Sequence, residues 1–460
     1  MSSVQRTAIC LAGIFLFIYV PDIGHGLVRD DFGWIRHSRL GDGRTLTDLL
    51  QANVGFYRPL VMVSFALDYA VWGVRPFGYA LTNLMLAAAN ALLIFVLARR
   101  LALPASAAVV AAAVWALNFH GINVSLLWLS GRTALMVTLF ALLAAIQFAR
   151  RRSAMAAVFS LLAMLCKEEA VVWPALFSAV AFFEEGGARD PVAAMGKAVR
   201  RAWPVWLALA IYFPMRFNSG AFGAATAPAY YTFSLSPSLF LENLGEYADR
   251  AATGAVLVTL LMAMIAGRRG RLEDSERRVL LWAAVWVPAA LALTLFLPVR
   301  SSLYVILPSV GAALVSGAIS SRAVRLAPRR FTRLAVGLVL VALVCVPVYR
   351  SRNRRMVREA SLASQTMAVV NAEAARHASG GTVAFIDNGA APTTFEASFG
   401  GAIDDAVVVM TGRQWRGVPW PADTPLPDTV SFAVRLQDDG SVTVGERRSS
   451  EPSNPRAFEP

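Results

Sequence analysis

Two adjacent carboxylates follow the first apolar segment of the chain, in the stretch LVRDDFGWIRHSR. A carboxylate such as Asp30 or Asp31 can accept the proton of an attacking hydroxyl group. An acid at the start of a helix can equally cap that helix, and Phe32 and Ile35, three residues apart, indicate a helix face directly after Asp31. Both interpretations, catalytic base and helix cap, are open at this stage.

Cationic side chains occur in other short polar stretches between apolar segments. Arginine binds phosphate through two parallel hydrogen bonds, and lysine binds it as a point charge. A carboxylate and such cations together suit transfer from a lipid-linked phosphate, because the cations stabilise the charge that develops on the leaving group. The candidates are Asp30, Asp31, Arg58, His120, Arg132, Lys167, Glu168, Glu169, Arg300 and Tyr304.

Several candidates also have a structural interpretation. Arg58 and Arg132 could be anchors whose long side chains reach the membrane surface. Lys167 and Glu168 could form a structural ion pair, and His120 could be an ordinary interface residue. The sequence has no HExxH pattern and no spaced cluster of His and Asp, so no metal ligands are predicted. A divalent cation is left open as a cofactor.

The composition is that of a protein with many membrane spans. The 460 residues are 57% hydrophobic and 16% charged, which is too apolar for one soluble domain. The net charge of +13 comes from basic residues between apolar segments, so it favours a role in topology over nucleic-acid binding. The three cysteines fall in apolar segments, which argues against a disulfide framework.

Eleven apolar runs approach the length needed to cross about 30 Å of hydrocarbon. The segment 59–73, PLVMVSFALDYAVWG, is ambiguous, because Ser64 and Asp68 share one helix face and an aspartate is costly at the bilayer centre. We interpret it as an interfacial helix in a first outer loop, 21–76. The predicted spans are 7–20, 77–98, 103–119, 133–149, 153–167, 169–184, 202–216, 251–267, 279–298, 303–320 and 332–349.

This arrangement places the arginine-rich loops on one side of the membrane. With Arg6, these loops hold 20 of the 43 Lys and Arg residues but only six of the 30 Asp and Glu residues. The positive-inside rule therefore predicts a cytoplasmic N-terminus in a bacterial inner membrane, with the first loop and the region after residue 350 in the periplasm. The loops concerned are 99–102, 150–152, 184–202, 268–278 and 321–333.

The sequence changes character after residue 350. RNRRMVREASLASQTMAVVNAEAARHA predicts a surface helix, and TVAFID, AVVVMTG, TVSFAVRL and SVTVGE predict short strands, with a hairpin turn at QDDG, 437–440. We therefore divide the chain into a membrane domain, 1–350, and a small extracytoplasmic α/β domain, 351–460. The last stretch, SSEPSNPRAFEP, has a disordered composition. Nothing in this domain predicts catalysis, which favours a lid or a docking surface.

Four blocks of the chain resemble one superfamily of membrane enzymes, the GT-C glycosyltransferases. YRPLVMVSFALDYAVWGVRPFGYALTNLMLAAANALLIFVLARRL resembles a characteristic block of the bacterial relatives of the transmembrane and tetratricopeptide-repeat O-mannosyltransferases over its whole length. ALNFHGINVSLLWLSGRTALMVTLFALLA, LLAMLCKEEAVVWPALF and LPVRSSLYVILPSVGAAL resemble its later blocks. The likeness covers residues 15–350 and leaves the C-terminal region out.

The resemblance implies a fold and a reaction. The implied fold is a polytopic α-helical, GT-C-like membrane protein with about eleven transmembrane helices and interfacial helices in the first outer loop, here followed by the small α/β domain. The implied reaction is the inverting transfer of a hexose or pentose from a polyprenyl-phosphate donor. Its acceptor would be a glycan, lipid or protein on the periplasmic side.

The resemblance also implies roles for individual residues. Asp30 would be the catalytic base, and Asp31 would assist it or bind the acceptor. Arg58, Lys167 and Arg300 would bind the donor phosphate. The remaining site candidates, without an assigned role, are His120, Arg132, Glu168 and Tyr304.

The sequence departs from the family pattern in places. Asn123 stands where an acid is expected in the loop after the third span, Arg300 and Tyr304 are spread apart, and no tetratricopeptide repeats follow. A non-catalytic relative that acts as a scaffold therefore stays open. A transporter or lipid flippase also stays open, although the chain shows no matching halves and its charges lie near helix ends.

Overall fold

The computed structural model describes residues 3–40, 44–51, 55–221, 231–267, 271–377, 380–412 and 414–445. The described residues form two compact units. The helical unit contains those up to His25 and those from His37 to Met356. The α/β unit contains Gly26–Arg36 together with those from Val357 onward. The stretch 449–460, which is predicted to be disordered, lies outside the described residues.

Helices make up most of the described chain up to residue 374, and each of the eleven predicted spans overlaps one of them. Two helices, α2 and α16, contribute residues to both units. In chain order they are α1 (Ser3–Tyr19), α2 (Asp30–Ser38), α3 (Leu46–Gln51), α4 (Pro59–Trp72), α5 (Pro76–Arg100), α6 (Ala105–Ala116), α7 (Ile122–Leu127), α8 (Arg132–Ala149), α9 (Ser153–Met164), α10 (Trp173–Glu184), α11 (Pro191–Asn218), α12 (Pro237–Ala266), α13 (Asp274–Leu291), α14 (Pro308–Leu326), α15 (Pro328–Val344) and α16 (Val346–Ala374).

The chain is a multi-pass membrane protein. Three apolar helices, α4, α6 and α9, are shorter than the helices that are long enough to cross a bilayer. The segment 59–73 is therefore helical as predicted, while its interfacial placement and the total of eleven spans stay predictions. Among the described residues, six helical stretches are long and apolar enough to cross a bilayer: Pro76–Arg100, Leu129–Ala149, Pro237–Ala266, Asp274–Phe296, Ser302–Leu326 and Pro328–Ala374.

Small residues let α14 pack closely on its neighbours α6, α12 and α13. A Cβ atom on Gly311 would lie 2.6 Å from Cγ2 of Val287 on α13, and one on Gly317 would lie 3.0 Å from Cβ of Ala111 on α6. Such close approach is how membrane helices gain contact without a hydrophobic driving force between them. A side chain at either glycine would push these helices apart.

The α/β unit contains one sheet with strand order β2-β1-β3-β4. β1 pairs in parallel with both β2 and β3, and β4 pairs antiparallel with β3. The turn predicted at QDDG is confirmed, since Gln437 N donates to Ser441 O at 2.9 Å and Gly440 takes a φ of +82°. The elements are β1 (Thr382–Ile386), α17 (Phe395–Phe399), α18 (Ile403–Thr411), β2 (Arg416–Trp420), β3 (Phe432–Leu436) and β4 (Val442–Gly445).

The strand predicted over AVVVMTG is wrong, because this stretch forms most of α18. A parallel pair such as β1 and β2 needs a crossover connection, and a helix that packs on the sheet supplies it. Asp404 and Asp405 in the first turn favour the helix N-terminus, and Gly412, with a φ of +61°, follows its last residue. The strand missed by the prediction is β2, RGVPW.

Candidate functional site

Ion pairs gather the arginine-rich loops at one end of the helical unit. They join four of the five loops that were predicted to share a side. Since α10 ends at Glu184 within this group, the residues just before its start at Trp173 lie at the opposite end. The pairs are Arg151–Glu185 at 2.6 Å, Arg201–Glu184 and Arg278–Glu184 at 2.7 Å each, and Arg325–Glu273 at 2.9 Å.

The opposite end holds a largely buried ion pair between Arg58 and Glu168. Arg58 directly precedes α4, and Glu168 begins a 3-10 helix after α9. Nε and Nη2 of Arg58 donate to the two carboxylate oxygens at 3.0 and 2.6 Å, and the guanidinium lies 4.1 Å from the ring centre of Phe56. Burial by itself would raise the pKa of Glu168, but Arg58 outweighs it and holds this pKa at about 2.

Lys167 lies beside this pair and is almost fully buried. Its Nζ pairs with Glu169 at 2.5 Å and lies 4.6 Å above the ring of Tyr304. Glu168 thus faces a guanidinium that donates at two points, whereas its neighbour Glu169 faces a single ammonium group.

Arg300 lies on the loop before the 3-10 helix Ser302–Val305. Its Nε donates to Oδ1 of Asn243 at 2.8 Å, and its Nη2 pairs with Glu242. The amide of Asn243 is itself fixed by the carbonyl oxygens of Leu295 and Leu297, at 3.0 and 2.9 Å. Arg300 is thus held by α12 and remains partly exposed.

Two tyrosines connect the three cations predicted to bind phosphate. The ring of Tyr304 lies under Nζ of Lys167, and the next residue along the chain, Glu168, pairs with Arg58. Tyr247 meets Tyr304 edge-on, with ring centres 6.2 Å apart, and its hydroxyl donates at 3.5 Å to the carbonyl oxygen of Val299, the residue before Arg300. The structure therefore brings Arg58, Lys167, Glu168, Arg300 and Tyr304 into one cluster, which we call the cation cluster.

Three members of this neighbourhood were missed in the sequence. Glu242, Asn243 and Tyr247 lie near the start of α12. The available signal was the polar spacing of Asn243 and Tyr247, four residues apart and hence on one helix face. This signal is weak in the sequence because the stretch runs directly into the apolar run 251–267.

His120 lies at the same end, beside Arg352 rather than in the cation cluster. Its ring stacks on Phe119 with centres 4.3 Å apart, and its Nδ1 is 3.4 Å from Nη1 of Arg352. Burial, together with the charge of Arg352, lowers the pKa of His120. The neutral form of the imidazole is therefore favoured.

Arg132 is enclosed by helices, with no exposed surface. It pairs with Asp68 at 2.5 Å and donates to Ser64 Oγ at 3.1 Å, Asn83 Oδ1 at 2.9 Å and Tyr79 O at 2.9 Å. The predicted shared face of Ser64 and Asp68 is confirmed by these contacts. Arg132 therefore ties α4, α5 and α8 together, and its guanidinium is fully buried, whereas that of a surface anchor would be exposed.

The acidic pair lies in the α/β unit, where its two members have different surroundings. Asp30 begins α2 and is exposed, whereas Asp31 has no exposed surface. One carboxylate oxygen of Asp31 accepts the backbone N–H of Val28 at 3.0 Å. Asp31 therefore fixes the backbone that leads into α2, and Asp30 is the acid with an exposed side chain.

An apolar cavity of about 500 Å³ opens among α1, α6, α12 and α15 of the helical unit. Leu11, Val110, Val258 and Val339 are among its lining residues. Arg352 also lines the cavity, with its guanidinium stacked 4.5 Å from the ring centre of Phe119. The cavity thus combines an apolar wall with a cationic group.

The chain is similar to a known protein over part of its length. No protein-family model matches the chain. A stretch of 185 residues is 30% identical to the protein O-mannosyl-transferase Tmtc1 of Drosophila melanogaster, and the match covers 35% of this chain and 21% of that protein. The chain therefore spans about a fifth of the length of this relative. In the described part of the chain, no group of three or more His, Cys, Asp or Glu residues is placed to hold a metal ion.

Proposed function

We propose that this protein is an inverting glycosyltransferase that moves a sugar from a polyprenyl-phosphate donor to an acceptor hydroxyl of a glycan, lipid or protein. The cation cluster is the observation that carries the proposal. It gathers Arg58, Lys167 and Arg300 from three distant parts of the sequence at one end of a multi-pass unit. The partial similarity to an O-mannosyl-transferase supports the same reaction class.

The cation cluster suits a phosphate leaving group. Each cation is paired with a glutamate, and a phosphate accepts hydrogen bonds in the same geometry as a carboxylate. The donor phosphate would therefore replace these glutamates as the hydrogen-bond acceptor, or share the cations with them. In either case the cations would stay where they are. As the bond to the sugar breaks, the cations stabilise the second negative charge on the phosphate.

The apolar cavity supports a lipid-linked donor. A polyprenyl chain is hydrocarbon along its whole length, and burial of such surface is favourable in proportion to its area. The apolar cavity lining presents such a surface within the helical unit. The donor would keep its chain among the helices while its phosphate reaches the polar end.

Asp30 is the proposed base. The acceptor hydroxyl attacks C1 of the sugar while Asp30 takes its proton, so that the new C1–O bond forms as the bond from C1 to the phosphate oxygen breaks. A single displacement of this kind inverts C1. The products are the glycosylated acceptor and polyprenyl phosphate, and the proton on Asp30 then passes to water.

The proposed location is the bacterial inner membrane, with a cytoplasmic N-terminus. The end of the bundle that carries the ion-paired arginine-rich loops would face the cytoplasm, in accordance with the positive-inside rule. The cation cluster would then face the periplasm, and so would the α/β unit.

The decisive experiment uses the full chain in nanodiscs with a polyprenyl-phosphate-linked mannose and a panel of hydroxyl acceptors. Release of polyprenyl phosphate and the configuration of the product are measured by mass spectrometry and NMR. The Arg58→Gln/Glu168→Gln protein should release none, whereas Asp423→Asn, an exposed acid in the α/β unit, should match the wild type.

The same experiment separates the rival functions. A transporter or lipid flippase would move the intact donor between leaflets and leave the glycosyl phosphate bond unbroken. A non-catalytic scaffold would neither move nor cleave it. Either result with the wild-type protein, across mannose, glucose and arabinose donors, would refute the proposal.

A further inference from the structure

Helix α2, which carries Asp30, is attached to the C-terminal part of the chain by arginines on both sides of that acid. Arg29 makes the first attachment. Its backbone N–H donates to Ser398 O at 2.9 Å, and its Nε donates to Ala397 O at 2.9 Å. Its Nη2 also pairs with the buried Glu359 of α16 at 2.7 Å. The residue directly before Asp30 is therefore fixed through both its backbone and its side chain.

Arg36 makes the second attachment. Its Nη1 pairs with Asp404 at 2.7 Å and with Asp405 at 2.8 Å, both in the first turn of α18. Asp404 in turn accepts the backbone N–H of Gly417 in β2 at 3.2 Å. The far side of α2 is thereby linked through α18 to the sheet of the α/β unit.

The backbone leading into α2 follows a restricted path. Arg29 has a φ of +49°, a left-handed conformation that residues with side chains rarely adopt and that needs surrounding contacts to hold it. Gly26 has a φ of +138°, and a Cβ atom there would lie 2.8 Å from the carbonyl oxygen of Ala360. Close contact with α16 therefore sets the direction in which α2 begins.

We propose that the α/β unit positions Asp30 for proton transfer, with Arg29 and Arg36 as positioning residues. This inference rests on the proposed function, in which Asp30 is the base. A base works only when it is held within hydrogen-bond reach of its proton, and displacements of about 1 Å can lower a rate about a hundredfold. The α/β unit, which lacks a catalytic pattern of its own, is in this view the support of the acid-bearing helix.

Arg36 is the better of the two residues to test. Its side chain is 35% exposed, and those of Asp404 and Asp405 are 43% and 22% exposed. Ion pairs of this exposure contribute little to stability. Substitutions at Arg36 should therefore leave the protein folded, so that a change in rate reports the orientation of α2.

The experiment compares Arg36→Gln, Arg36→Glu and Arg36→Lys with the wild-type protein in nanodiscs. Arg416→Gln, an exposed arginine of β2, is the matched control for the loss of one charge. We expect Arg36→Gln to lower kcat for sugar transfer at least tenfold, with KM for the donor within twofold and Tm unchanged. Arg36→Glu should be lower still, Arg36→Lys should recover most of the rate, and Arg416→Gln should match the wild type.

A second measurement does not depend on catalysis. Hydrogen–deuterium exchange of the peptide 26–38 should be faster in Arg36→Gln and unchanged in Arg416→Gln. If the wild type is active and kcat is unaffected in Arg36→Gln, the inference is overturned and the proposed function stands. A wild type that transfers no sugar would refute the proposed function and remove the premise of the inference, even if exchange is faster in Arg36→Gln.

Discussion

Arg58 and Glu168, 110 positions apart, join the start of α4 to the 3-10 helix after α9 through two hydrogen bonds of 3.0 and 2.6 Å. This pair and the neighbouring pair of Lys167 and Glu169 place four ionised or ionisable groups in a largely buried region. Burial of charges is costly unless they are paired. The pairing explains how a membrane protein can hold these two cations in a largely buried region.

The Arg58–Glu168 pair gives the first prediction. Arg58→Gln leaves the Glu168 carboxylate without its partner, so it should lower the free energy of unfolding by about 2–3 kcal/mol and abolish transfer. Arg58→Gln/Glu168→Gln removes both charges, so it should recover stability but not activity. Thermal unfolding in detergent and the donor-cleavage assay check these outcomes, and an active double variant would contradict them.

The pH dependence of the same pair follows from the lowered pKa of Glu168. A carboxylate with a pKa of about 2 in the folded state and about 4.3 when unfolded stabilises the fold above the unfolded value. This stabilisation is lost as the pH falls from about 4.3 through about 2. The wild type should therefore lose more stability between pH 5 and pH 3 than the double variant does, which thermal unfolding at each pH measures.

The acidic pair should respond asymmetrically to substitution. Asp30→Asn should lower transfer by a factor of about 10²–10⁴ without changing Tm, because Asp30 is exposed and is the proposed base. Asp31→Asn should lower stability by about 1–3 kcal/mol, because its buried oxygen accepts the Val28 N–H. Equal effects of the two changes on rate and on Tm would contradict these roles. Asp423→Asn serves as the exposed control.

The ion pair of Arg132 and Asp68 predicts an effect on stability but not on donor cleavage. Arg132→Met leaves Asp68 buried without its cation, and the expected loss of stability is about 3–5 kcal/mol. The double variant Arg132→Met/Asp68→Asn should recover part of this loss and keep donor cleavage. Tm and limited proteolysis in detergent provide the measurement, and a stable Arg132→Met protein with no activity would instead assign Arg132 to the chemistry.

The cavity predicts a dependence on the length of the donor lipid. Val110→Trp or Val339→Trp should raise KM for a long polyprenyl donor about tenfold, because the lipid chain would be less buried in the cavity. A tenfold change in affinity corresponds to the burial of roughly two methylene groups. A short-chain donor should be unaffected. Leu340→Trp, an exposed position on the same helix as Val339, is the control. Equal changes for long and short donors would show that the lipid does not occupy this cavity.

The helices could be predicted from the sequence because apolar runs indicate them directly. The cationic candidates could be found because charges are rare in such a chain. The shared face of Ser64 and Asp68 was also readable from their spacing, although the partner, Arg132, lies 64 positions beyond Asp68. Local periodicity identifies a helix face but not the side chain that meets it.

What the sequence could not show depends on contacts between distant residues. The attachments of Arg29 to Glu359 and of Arg36 to Asp404 span 330 and 368 positions, and no local pattern encodes them. The different burial of Asp30 and Asp31 depends on the same packing. The stretch AVVVMTG was misassigned because a short valine run fits strand or helix equally, and the sheet topology decides between them.

The attachment of Arg29 to Glu359 has a consequence for biosynthesis. The segment Gly26–Arg36 is synthesised more than 300 residues before its partners on α16, α17 and α18. During translation this segment must therefore remain without its final contacts until these partners are made. A premature stop before codon 359 would leave the segment without them permanently.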